Sequence, residues 1–533
     1  MPVRSHRSTS SSGARRWWAL AALTLSVLVV ALDGTIMTVA LPTISRALHA
    51  DGADLQWITG GYLLALSAAL LPVGRLGDRF GHKRLLLAGM VLFALASGLG
   101  ALARSPGELI AVRAVMGLGA AAIMPLSMAV LPKIFPAEQL PRAIAVWTAA
   151  TALGMPVGPV LGGWLLNHFW WGSVLVVNLP VVGLALGAVA WLLPSDRADE
   201  AGSPSAPERA GGFDVAGAVL GALGVTAVVH GTILQPEQGW GSPTVLASLL
   251  GGVLLLVGFV GRERRAADPL VDLGLFTRRA FTAGSLLGVV VNFEVTGILF
   301  VVPQYLQGVL GQNALGTGLR VLPLIGGLLV AATLSEALTA RAGARIVVPV
   351  GLGVLAAGAF LGASGQVTAG YGFVAAWLAV TGLGFGLAVV PATSLVLSSL
   401  PPRRAGAGTS LMETVQQVGS VLGVAALGSV LNAGYLSRLD VAGLPAPAAD
   451  AARDSLPAAA AVADRLGDPA LLASAQHAFG HGMSLVLVVC GVISVVAAVL
   501  AVTFLPRRDR RPDVGPPPDA SQQAVGAQQA VDR

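Results

Sequence analysis

The sequence contains fourteen runs of apolar and small residues, each long enough to cross the hydrocarbon core of a bilayer, which is about 30 Å thick. Backbone amides find no water in that core, and the runs show no period-2 alternation, so they predict helices rather than a barrel. The predicted spans are 17–40, 56–73, 85–103, 107–131, 142–166, 172–194, 213–233, 244–262, 280–305, 315–339, 345–363, 370–398, 407–432 and 480–505. The sequence therefore predicts an all-α integral membrane protein with fourteen transmembrane helices.

The composition agrees with a chain that lies mostly in lipid. Charged residues make up 11% of the sequence and hydrophobic residues 55%, whereas soluble domains carry about 25% charged residues. The basic start could belong to a cleaved signal peptide, but the apolar run after it exceeds the usual length of about 7–15 residues and no small-residue cleavage site follows closely. We therefore expect the first helix to be retained.

The distribution of basic residues predicts the orientation, because short cytoplasmic loops retain Lys and Arg during insertion. With the N-terminus inside, only six of the 33 Lys and Arg fall on the outer side and one, Arg113, falls within a span. An odd number of spans would put the C-terminal arginine cluster outside. We expect a multi-pass protein of the cell membrane with both termini cytoplasmic. The net charge of +6 follows from this topology and needs no nucleic-acid partner.

Two landmarks occur twice and predict an internal repeat. Arg79-x-Gly81-x-Lys83 is matched by Arg341-x-Gly343-x-Arg345, and Gly154-x-x-x-Gly158 by Gly419-x-x-x-Gly423. The matches predict two six-helix halves with spans seven and eight inserted between them. The expected domains are a cytoplasmic tail 1–16, an N-terminal bundle 17–194, a linker 195–279 with the two extra helices, a C-terminal bundle 280–505, and a disordered cytoplasmic tail 506–533. The external loop 433–479 is expected to form a short amphipathic helix.

Asp33 is the first of two acids placed deep in a span. An ionised side chain at mid-membrane costs about 2.5–3.5 kcal/mol on insertion scales, so an isolated Asp33 is expected to be cheaper to bury with a proton than without. Such a group changes its protonation when the cavity around it opens to the other side. Asp33 is thus a candidate carrier of a coupling proton, and the alternative is a hydrogen bond between neighbouring helices.

Glu294, in the ninth span, is the other deeply placed acid. It could contact a cationic substrate or carry a second proton; alternatively its carboxyl is hydrogen-bonded to Asn292 or to a facing helix. Glu336 and Glu413 lie nearer the cytoplasmic ends, where snorkelling or a local ion pair is expected. Arg113 stays ionised and needs a partner or water, so it is either functional or an anchor near the outer face.

Several motifs resemble those of the major facilitator superfamily and, within it, of the fourteen-span drug:proton antiporters. The matches are LDGTIMTVALP (32–42) in the first helix, GRLGDRFGHKR (74–84) in the loop after the second, RAVMGLGAA (113–121) in the fourth, GMPVGPVLGG (154–163) in the fifth, WWGSVLVVNLP (170–180) and YLQGVLG (305–311). One departure is Met116, which stands where the family usually has glutamine.

The resemblance implies the major facilitator fold and alternating access between two six-helix bundles. It implies proton-coupled efflux of lipophilic, often cationic drugs or antibiotics by a monomer, with no cofactor and no enzymatic activity. The alternative is a proton-coupled importer of a small metabolite, because a fold does not determine a function. ATP-driven export is disfavoured, since the sequence lacks a GxxxxGK[ST] loop.

The resemblance also assigns roles to residues. Asp33 and Arg113 are implied in proton transfer, with Arg113 favouring the ionised form of a nearby carboxylate. A gating turn that locks the halves is implied for Gly74, Asp78, Arg79, Gly81, Lys83 and Arg84, although a plain cytoplasmic loop would also be basic. An antiporter motif that packs and bends the fifth helix is implied for Gly154, Pro156, Gly158, Pro159, Gly162 and Gly163, although small residues are common in membrane helices.

Overall fold

The computed structural model describes residues 9–136, 138–193, 214–266, 273–365, 370–399 and 405–505. This described part is helical and contains no strand. The α-helices are α1 (Thr9–Leu48), α2 (Gly52–Phe80), α3 (His82–Gly100), α4 (Pro106–Ile134), α5 (Leu140–His168), α6 (Ser173–Val176), α7 (Asn178–Leu192), α8 (Val215–Gln238), α9 (Pro243–Glu263), α10 (Arg279–Gly308), α11 (Ala314–Ala342), α12 (Ala344–Ala363), α13 (Tyr371–Ser399), α14 (Ala405–Arg438), α15 (Ala446–Asp454), α16 (Leu456–Leu466) and α17 (Pro469–Phe504), with a short 3-10 helix at Leu273–Thr277.

Thirteen helices in the described part are long and apolar enough to cross a membrane. The sixth predicted span is found as the stretch Ser173–Leu192, which joins α6 and α7. Helix α2 covers the second predicted span and is 29 residues long, but it is not among the thirteen. The prediction of an all-α, multi-pass membrane protein is confirmed. Of the fourteen predicted spans, thirteen correspond to helices of the described part that are long and apolar enough to cross a membrane.

Short turns reverse the chain between successive long helices. Asp51 caps α2, because its Oδ1 accepts a hydrogen bond from the backbone N–H of Asp54 at 2.7 Å and the Asp54 carboxylate accepts one in return. Gly81 joins α2 to α3 with a φ of 95°, and Gly343 joins α11 to α12 with a φ of 84°. Both positions lie in the left-handed region that favours glycine. We call the end of the bundle where α1 begins and α17 ends the termini face, and the opposite end the far face.

The glycine pairs that repeat in the sequence also repeat in the packing. Gly154 and Gly158 of α5 lie directly against α1, and Gly419 and Gly423 of α14 lie directly against α10. Without a side chain, each glycine lets two helix backbones approach closely. In each half, therefore, the fifth helix packs on the first helix through a pair of glycines four residues apart.

The two halves meet at the far face. Gln307 Nε2 of α10 donates a hydrogen bond to the carbonyl of Val39 in α1 at 2.8 Å. Ser45 Oγ, near the end of α1, lies 3.4 Å from the Oγ of Ser455, between α15 and α16. The segment predicted as a loop with one short helix thus contains two short helices, and they pack beside the far end of the first half.

The inserted helices α8 and α9 pack against each other, and α8 also packs against α14 of the second half and α2 of the first half. Ser429 Oγ of α14 donates to the carbonyl of Thr232 in α8 at 2.7 Å. At the termini face, Asp214 caps α8 by accepting from the Gly217 N–H at 2.9 Å, and it also accepts from Arg262 Nε of α9 at 2.8 Å. The hydrogen bond from Gly217 and then the guanidinium of Arg262 hold the pKa of Asp214 below its ordinary value, although burial opposes the shift.

The Asp214→Ala substitution is expected to reduce the free energy of unfolding by about 1 kcal/mol, because it removes a helix cap and an ion pair. Since the folded-state pKa lies below the unfolded value, the contribution is present above about pH 4 and is lost as the pH falls through the folded-state pKa. Thermal unfolding of the purified protein in detergent at several pH values measures both effects. Asp450→Ala is the control, because its pair with Arg453 is exposed; an equal loss in both variants would contradict the role of Asp214.

Candidate functional site

Asp33 and Arg113 form a buried ion pair in the first half. Helix α1 places Asp33 and helix α4 places Arg113, whose Nη1 lies 2.5 Å from Asp33 Oδ2. Each side chain is only 1% exposed. The guanidinium also lies over the ring of Tyr62 in α2, 4.1 Å from its centroid, and its Nε donates to the Ile58 carbonyl at 3.4 Å. Arg113 is therefore held by α1 and α2 together.

Two further polar residues complete this network. Asn178 Nδ2, at the start of α7, donates to Asp33 Oδ1 and to Ser97 Oγ of α3, at 3.0 Å in each case. Ser97 Oγ in turn donates to the Leu175 carbonyl at 2.8 Å. Both Asp33 oxygens thus accept a hydrogen bond from another helix. Sequence reasoning missed Asn178 and Ser97, although Asn178 stands out as an amide inside an otherwise apolar run.

The ion pair differs from the expectation for an isolated Asp33. That expectation treated the carboxyl alone, for which the neutral form is cheaper in lipid. The structure supplies a counter-charge from Arg113, so an ionised Asp33 is paired and accepts two hydrogen bonds. Removing either charge would leave the other buried without a partner, which is costly. A proton on Asp33 would therefore disturb the whole network.

Met116 lies beside the ion pair. Its sulfur is 4.0 Å from Arg113 Nη1, and its side chain is fully buried. A thioether is only a weak acceptor, whereas a glutamine at this position could accept a full hydrogen bond. Of the two side chains beside the guanidinium, those of Met116 and Asp33, only Asp33 therefore offers a strong hydrogen-bond acceptor.

A small cavity lies between the halves, on a different face of α1 from Asp33. Its lining includes Thr35 and Thr38 of α1, Pro159 of α5, Val295 of α10 and Phe385 of α13. Its volume is about 30 Å³, which corresponds to the share of one water molecule in the liquid. Drug-sized ligands occupy sites of about 300–1,000 Å³, so this cavity is too small for such a substrate in the observed conformation.

Glu294 lies apart from the Asp33 network, in the second half. It is fully buried, and its Oε2 accepts a hydrogen bond from Ser494 Oγ of α17 at 2.7 Å. Asn292 does not bind it but donates to the Gly288 carbonyl at 2.8 Å. The second oxygen, Oε1, has no hydrogen-bond partner among the described residues. The sequence left two possible partners for the Glu294 carboxyl, Asn292 and a facing helix, and the structure shows the facing helix.

The predicted gating turn includes the end of α2, Gly81 and the start of α3. Gly74 lies within α2, and the Arg79 guanidinium lies over the Phe80 ring, 5.4 Å from its centroid. The side chain of Asp78 lies outside the described part of the chain. The role of Asp78 in this turn stays a prediction.

Lys83 and Arg84 stand in the first turn of α3, directly after Gly81. Lys83 Nζ donates to the carbonyls of Ala190 and Leu193, at 2.8 and 2.6 Å, at the end of α7. A cation at a helix C-terminus stabilises the last carbonyls of that helix. This contact ties the turn to α7 within the first half.

The glycines of the predicted antiporter motif face two different helices. Gly154, Gly158 and Gly162 lie against α1 of their own half, and Thr35 Oγ1 donates to the Gly154 carbonyl at 3.0 Å. The fourth, Gly163, faces the second half. A Cβ at that position would lie 2.5 Å from the Ala314 carbonyl oxygen at the start of α11.

The two prolines of the motif also lie within α5. The Pro159 carbonyl faces Gly318 of α11, where a Cβ would overlap it, and Pro156 lies three residues earlier. Each proline removes a backbone hydrogen bond from the helix interior and favours a bend. The motif thus serves both the packing on α1 and the contact between the halves.

The Gly163→Ala substitution is expected to weaken the closed far face. The added methyl group collides with the backbone of α11, and overpacking of this kind costs about 1–3 kcal/mol. Spin labels on α5 and α11 at the far face should therefore show a larger population at long distances. Gly183→Ala is the control, because no atom lies within 4 Å of its added Cβ. Unchanged distances in Gly163→Ala would show that the halves do not meet at this position.

Three comparisons relate the chain to known proteins. A family model described as Major Facilitator Superfamily matches residues 23–424. The tetracenomycin C resistance and export protein of Streptomyces glaucescens is 34% identical over 510 residues, which cover 93% of each chain. The multidrug efflux pump LfrA of Mycolicibacterium smegmatis is 33% identical over 510 residues, 93% of this chain and 98% of that one.

The third comparison is with a solved structure. The crystal structure of a bacterial homologue of the human lysosomal transporter Spinster, inward-facing and unoccupied, covers 92% of this chain and 98% of its own, with a TM-score of 0.66 and 18% identity. At that identity the match concerns the fold alone.

Proposed function

The chain belongs to the major facilitator superfamily of transporters, and on this basis we propose that it exports lipophilic, often cationic drugs or antibiotics across the cell membrane in exchange for protons. The names of the two relatives, a resistance and export protein and a multidrug efflux pump, support the substrate class. We assign the chain a transport role as a monomer, without a cofactor or a catalytic site.

The proposal places the termini face in the cytoplasm. The excess of Lys and Arg on that side supports this orientation. The contacts between the halves lie at the far face, so the observed conformation is closed toward the exterior. In the proposed cycle, the halves then separate at the far face and close at the termini face. The turn with Asp78, Arg79, Lys83 and Arg84 is the proposed lock of that second state.

The buried ion pair of Asp33 and Arg113 is the observation that most strongly supports proton coupling. A proton that binds Asp33 neutralises one member of the pair and leaves Arg113 without a counter-charge. Because the network joins α1, α3, α4 and α7, its loss favours a different packing of these helices. Release of the proton to the cytoplasm restores the pair. Asp33 does not line the cavity between the halves, so it acts on the helices and not by contact with the substrate in this state.

The stoichiometry determines which gradient drives export. A proton that moves inward across about 150 mV releases about 3.5 kcal/mol, enough to sustain a gradient of a few hundredfold. Exchange of one proton for one monovalent cation is electrically silent, however, and only the pH difference drives it. A second titratable acid restores the voltage drive, and Glu294 is the proposed candidate.

Uptake into inverted membrane vesicles tests this function. Vesicles with an acidic interior are expected to accumulate tetraphenylphosphonium or ethidium when they contain the protein, and a protonophore should abolish the uptake. A matched panel of neutral lipophilic drugs defines the charge requirement. Vesicles of the same cells without the protein are the control. Accumulation only in right-side-out vesicles would instead identify an importer.

A further inference from the structure

Three buried polar side chains follow one another along α2, each with an oxygen that has no hydrogen-bond partner in the described part of the chain. The atoms are Gln56 Oε1, Thr59 Oγ1 and the Tyr62 hydroxyl oxygen. The three residues are 2%, 7% and 3% exposed. A buried polar atom without a partner is costly, and in proteins such atoms usually bind an ordered water. We call these three side chains the polar line of α2.

The spacing of the polar line suits a chain of single waters. Its members are three positions apart, and side chains at that spacing on a helix are neighbours, with about 5–6 Å between their Cβ atoms. Two hydrogen bonds of about 2.8–3.0 Å through one water span nearly the same distance. One water between each pair of neighbours therefore makes the line continuous.

The inner end of the polar line reaches the ion pair. The Arg113 guanidinium lies over the Tyr62 ring, 4.1 Å from its centroid, and its Nε donates to the carbonyl of Ile58, the residue before Thr59. The Tyr62 hydroxyl is also close enough to Asp33 and Arg113 to interact with both charges. The turn of α2 that carries Thr59 and Tyr62 thus lies directly beside the proposed proton carrier.

The outer end of the polar line borders a small cavity at the far face. The cavity lies between α2, α10, α14 and the segment of α15 and α16, and its volume of about 30 Å³ is the share of one water molecule in the liquid. Gln56, Gln304, Asn432 and Asp454 contribute polar groups to its lining, and Asp454 is exposed at the surface. The cavity therefore joins the first side chain of the line to the far face.

Gln56 also lies where the two halves meet. A Cβ added at Gly428 of α14 would lie 2.7 Å from Gln56 Cδ, so the Gln56 side chain packs directly on the α14 backbone. In the proposed cycle, α2 and α14 separate when the far face opens, and this movement uncovers Gln56. The outer end of the line is therefore narrow in the observed conformation and wide in the state that is open at the far face.

The second half has no equivalent of the polar line. Helices α2 and α11 are both 29 residues long, and the turn glycines Gly81 and Gly343 that follow them give the register between the halves. The three equivalent positions in α11 carry no polar side chain and are Gly318, Val321 and Leu324. Helix packing in this fold therefore does not require polar residues at these positions. They occur in the half that contains the ion pair.

We propose that protons reach Asp33 from the exterior along α2, through waters held by Gln56, Thr59 and Tyr62. The direction of entry rests on the proposed function, in which the far face is the exterior. Each transfer moves one proton from a water to its neighbour. The last proton neutralises the Asp33 carboxylate, and water outside replaces the proton at the outer end. Drug-sized molecules cannot follow, because the line is one water wide.

Radiolytic footprinting tests the polar line without transport. An X-ray pulse converts water into hydroxyl radicals, which modify the side chains that contact the water, and mass spectrometry locates the modified residues. In the full-length protein in lipid nanodiscs, we expect Tyr62 to be modified several-fold faster than Phe93, a fully buried ring of the same half. Thr59→Val removes one hydroxyl and should lower the rate at Tyr62 several-fold. Modification of Tyr62 no faster than that of Phe93 would overturn the proposal.

Uptake of tetraphenylphosphonium into inverted vesicles tests what the line does. Tyr62→Phe removes the hydroxyl but keeps the ring beneath Arg113, and Thr59→Val keeps the shape of its side chain. Each variant is expected to slow uptake driven by a pH gradient about tenfold relative to exchange of substrate for substrate, the effect of losing one hydrogen bond to a relayed water. Exchange needs no net movement of protons, so each variant is its own reference.

Thr339→Val in α11 is the matched control. Thr339 is also a buried hydroxyl without a hydrogen-bond partner in the described residues, but it lies in the second half near the termini face. Equal slowing of uptake and exchange in Thr59→Val, or equal effects of Thr59→Val and Thr339→Val, would overturn the proposal. Wild-type protein that exchanges substrate but shows no uptake driven by a pH gradient would refute the proposed antiport instead, and footprinting tests the water line separately.

Discussion

Replacement of Arg113 by methionine is expected to lower the free energy of unfolding by about 3–5 kcal/mol, because it leaves the carboxylate of Asp33 buried without a counter-charge. Asp33 and Arg113 are each 1% exposed, so water cannot substitute for the missing partner. Thermal and denaturant unfolding of the purified protein in one detergent give the size of the loss. The expected loss is a large fraction of the stability of an ordinary protein domain, about 5–15 kcal/mol, so the expression level should also fall.

The double variant Asp33→Asn with Arg113→Met separates stability from transport. It removes both charges, and replacement of a whole buried ion pair by neutral side chains is often neutral or stabilising. We therefore expect most of the stability to return while gradient-driven transport stays lost. Arg320→Met is the control, since Arg320 also lies over a tyrosine ring, that of Tyr371, but has no carboxylate at hydrogen-bond distance in the described part. If the double variant were as unstable as Arg113→Met alone, the loss of stability would not come from an unpaired buried carboxylate.

The Asp33→Asn substitution is expected to abolish accumulation driven by a pH gradient while exchange of substrate for substrate continues. An amide has nearly the shape of the carboxylic acid but cannot bind or release the coupling proton. With one proton exchanged per monovalent cation, a difference of one pH unit sustains at most about a tenfold gradient in the wild type. In the variant, the ratio of internal to external substrate should stay near one.

Vesicles loaded with labelled substrate measure the exchange. Asp33→Asn is expected to be less stable than the wild type, because Arg113 loses its counter-charge. In the folded protein that remains, efflux stimulated by external unlabelled substrate should persist, so transport rates are normalised to the amount of folded protein. Asp33→Glu is the conservative control and should retain part of the accumulation, because it keeps a titratable group. Full pH-driven accumulation by Asp33→Asn would reduce Asp33 to a structural role and leave Glu294 as the remaining deep acid.

The fold was largely predictable from the sequence, because long apolar runs and paired turn glycines determine where membrane helices begin and end. Gly81 and Gly343 marked the same turn in both halves, and the structure places each between two helices with a positive φ. The two short helices α15 and α16 were less predictable, since their alanine-rich segment lies outside the apolar runs and their packing against α1 involves distant parts of the chain.

The site residues stood out individually, but their partners did not. Asp33 and Arg113 are conspicuous because a charge inside an apolar run is costly. Their pairing depends on the rotation of two helices that are 80 residues apart in sequence, and periodicity alone does not determine that rotation. The same holds for Gly163, the one glycine of its motif that faces the other half. Asn292 was a plausible partner of Glu294 by proximity in sequence, but its amide binds its own helix.

Exchange of a drug for protons requires that protons and drug cross the membrane in opposite directions, and the direction of proton flow can be measured directly. Purified wild-type protein is reconstituted into liposomes that contain a pH-sensitive dye and have an acidic interior, with the potential clamped by potassium and valinomycin. Addition of tetraphenylphosphonium outside is expected to raise the internal pH as the cation enters, and the response should be absent in Asp33→Asn liposomes. Acidification of the interior on addition of the substrate, or uptake with no change in pH, would contradict proton antiport.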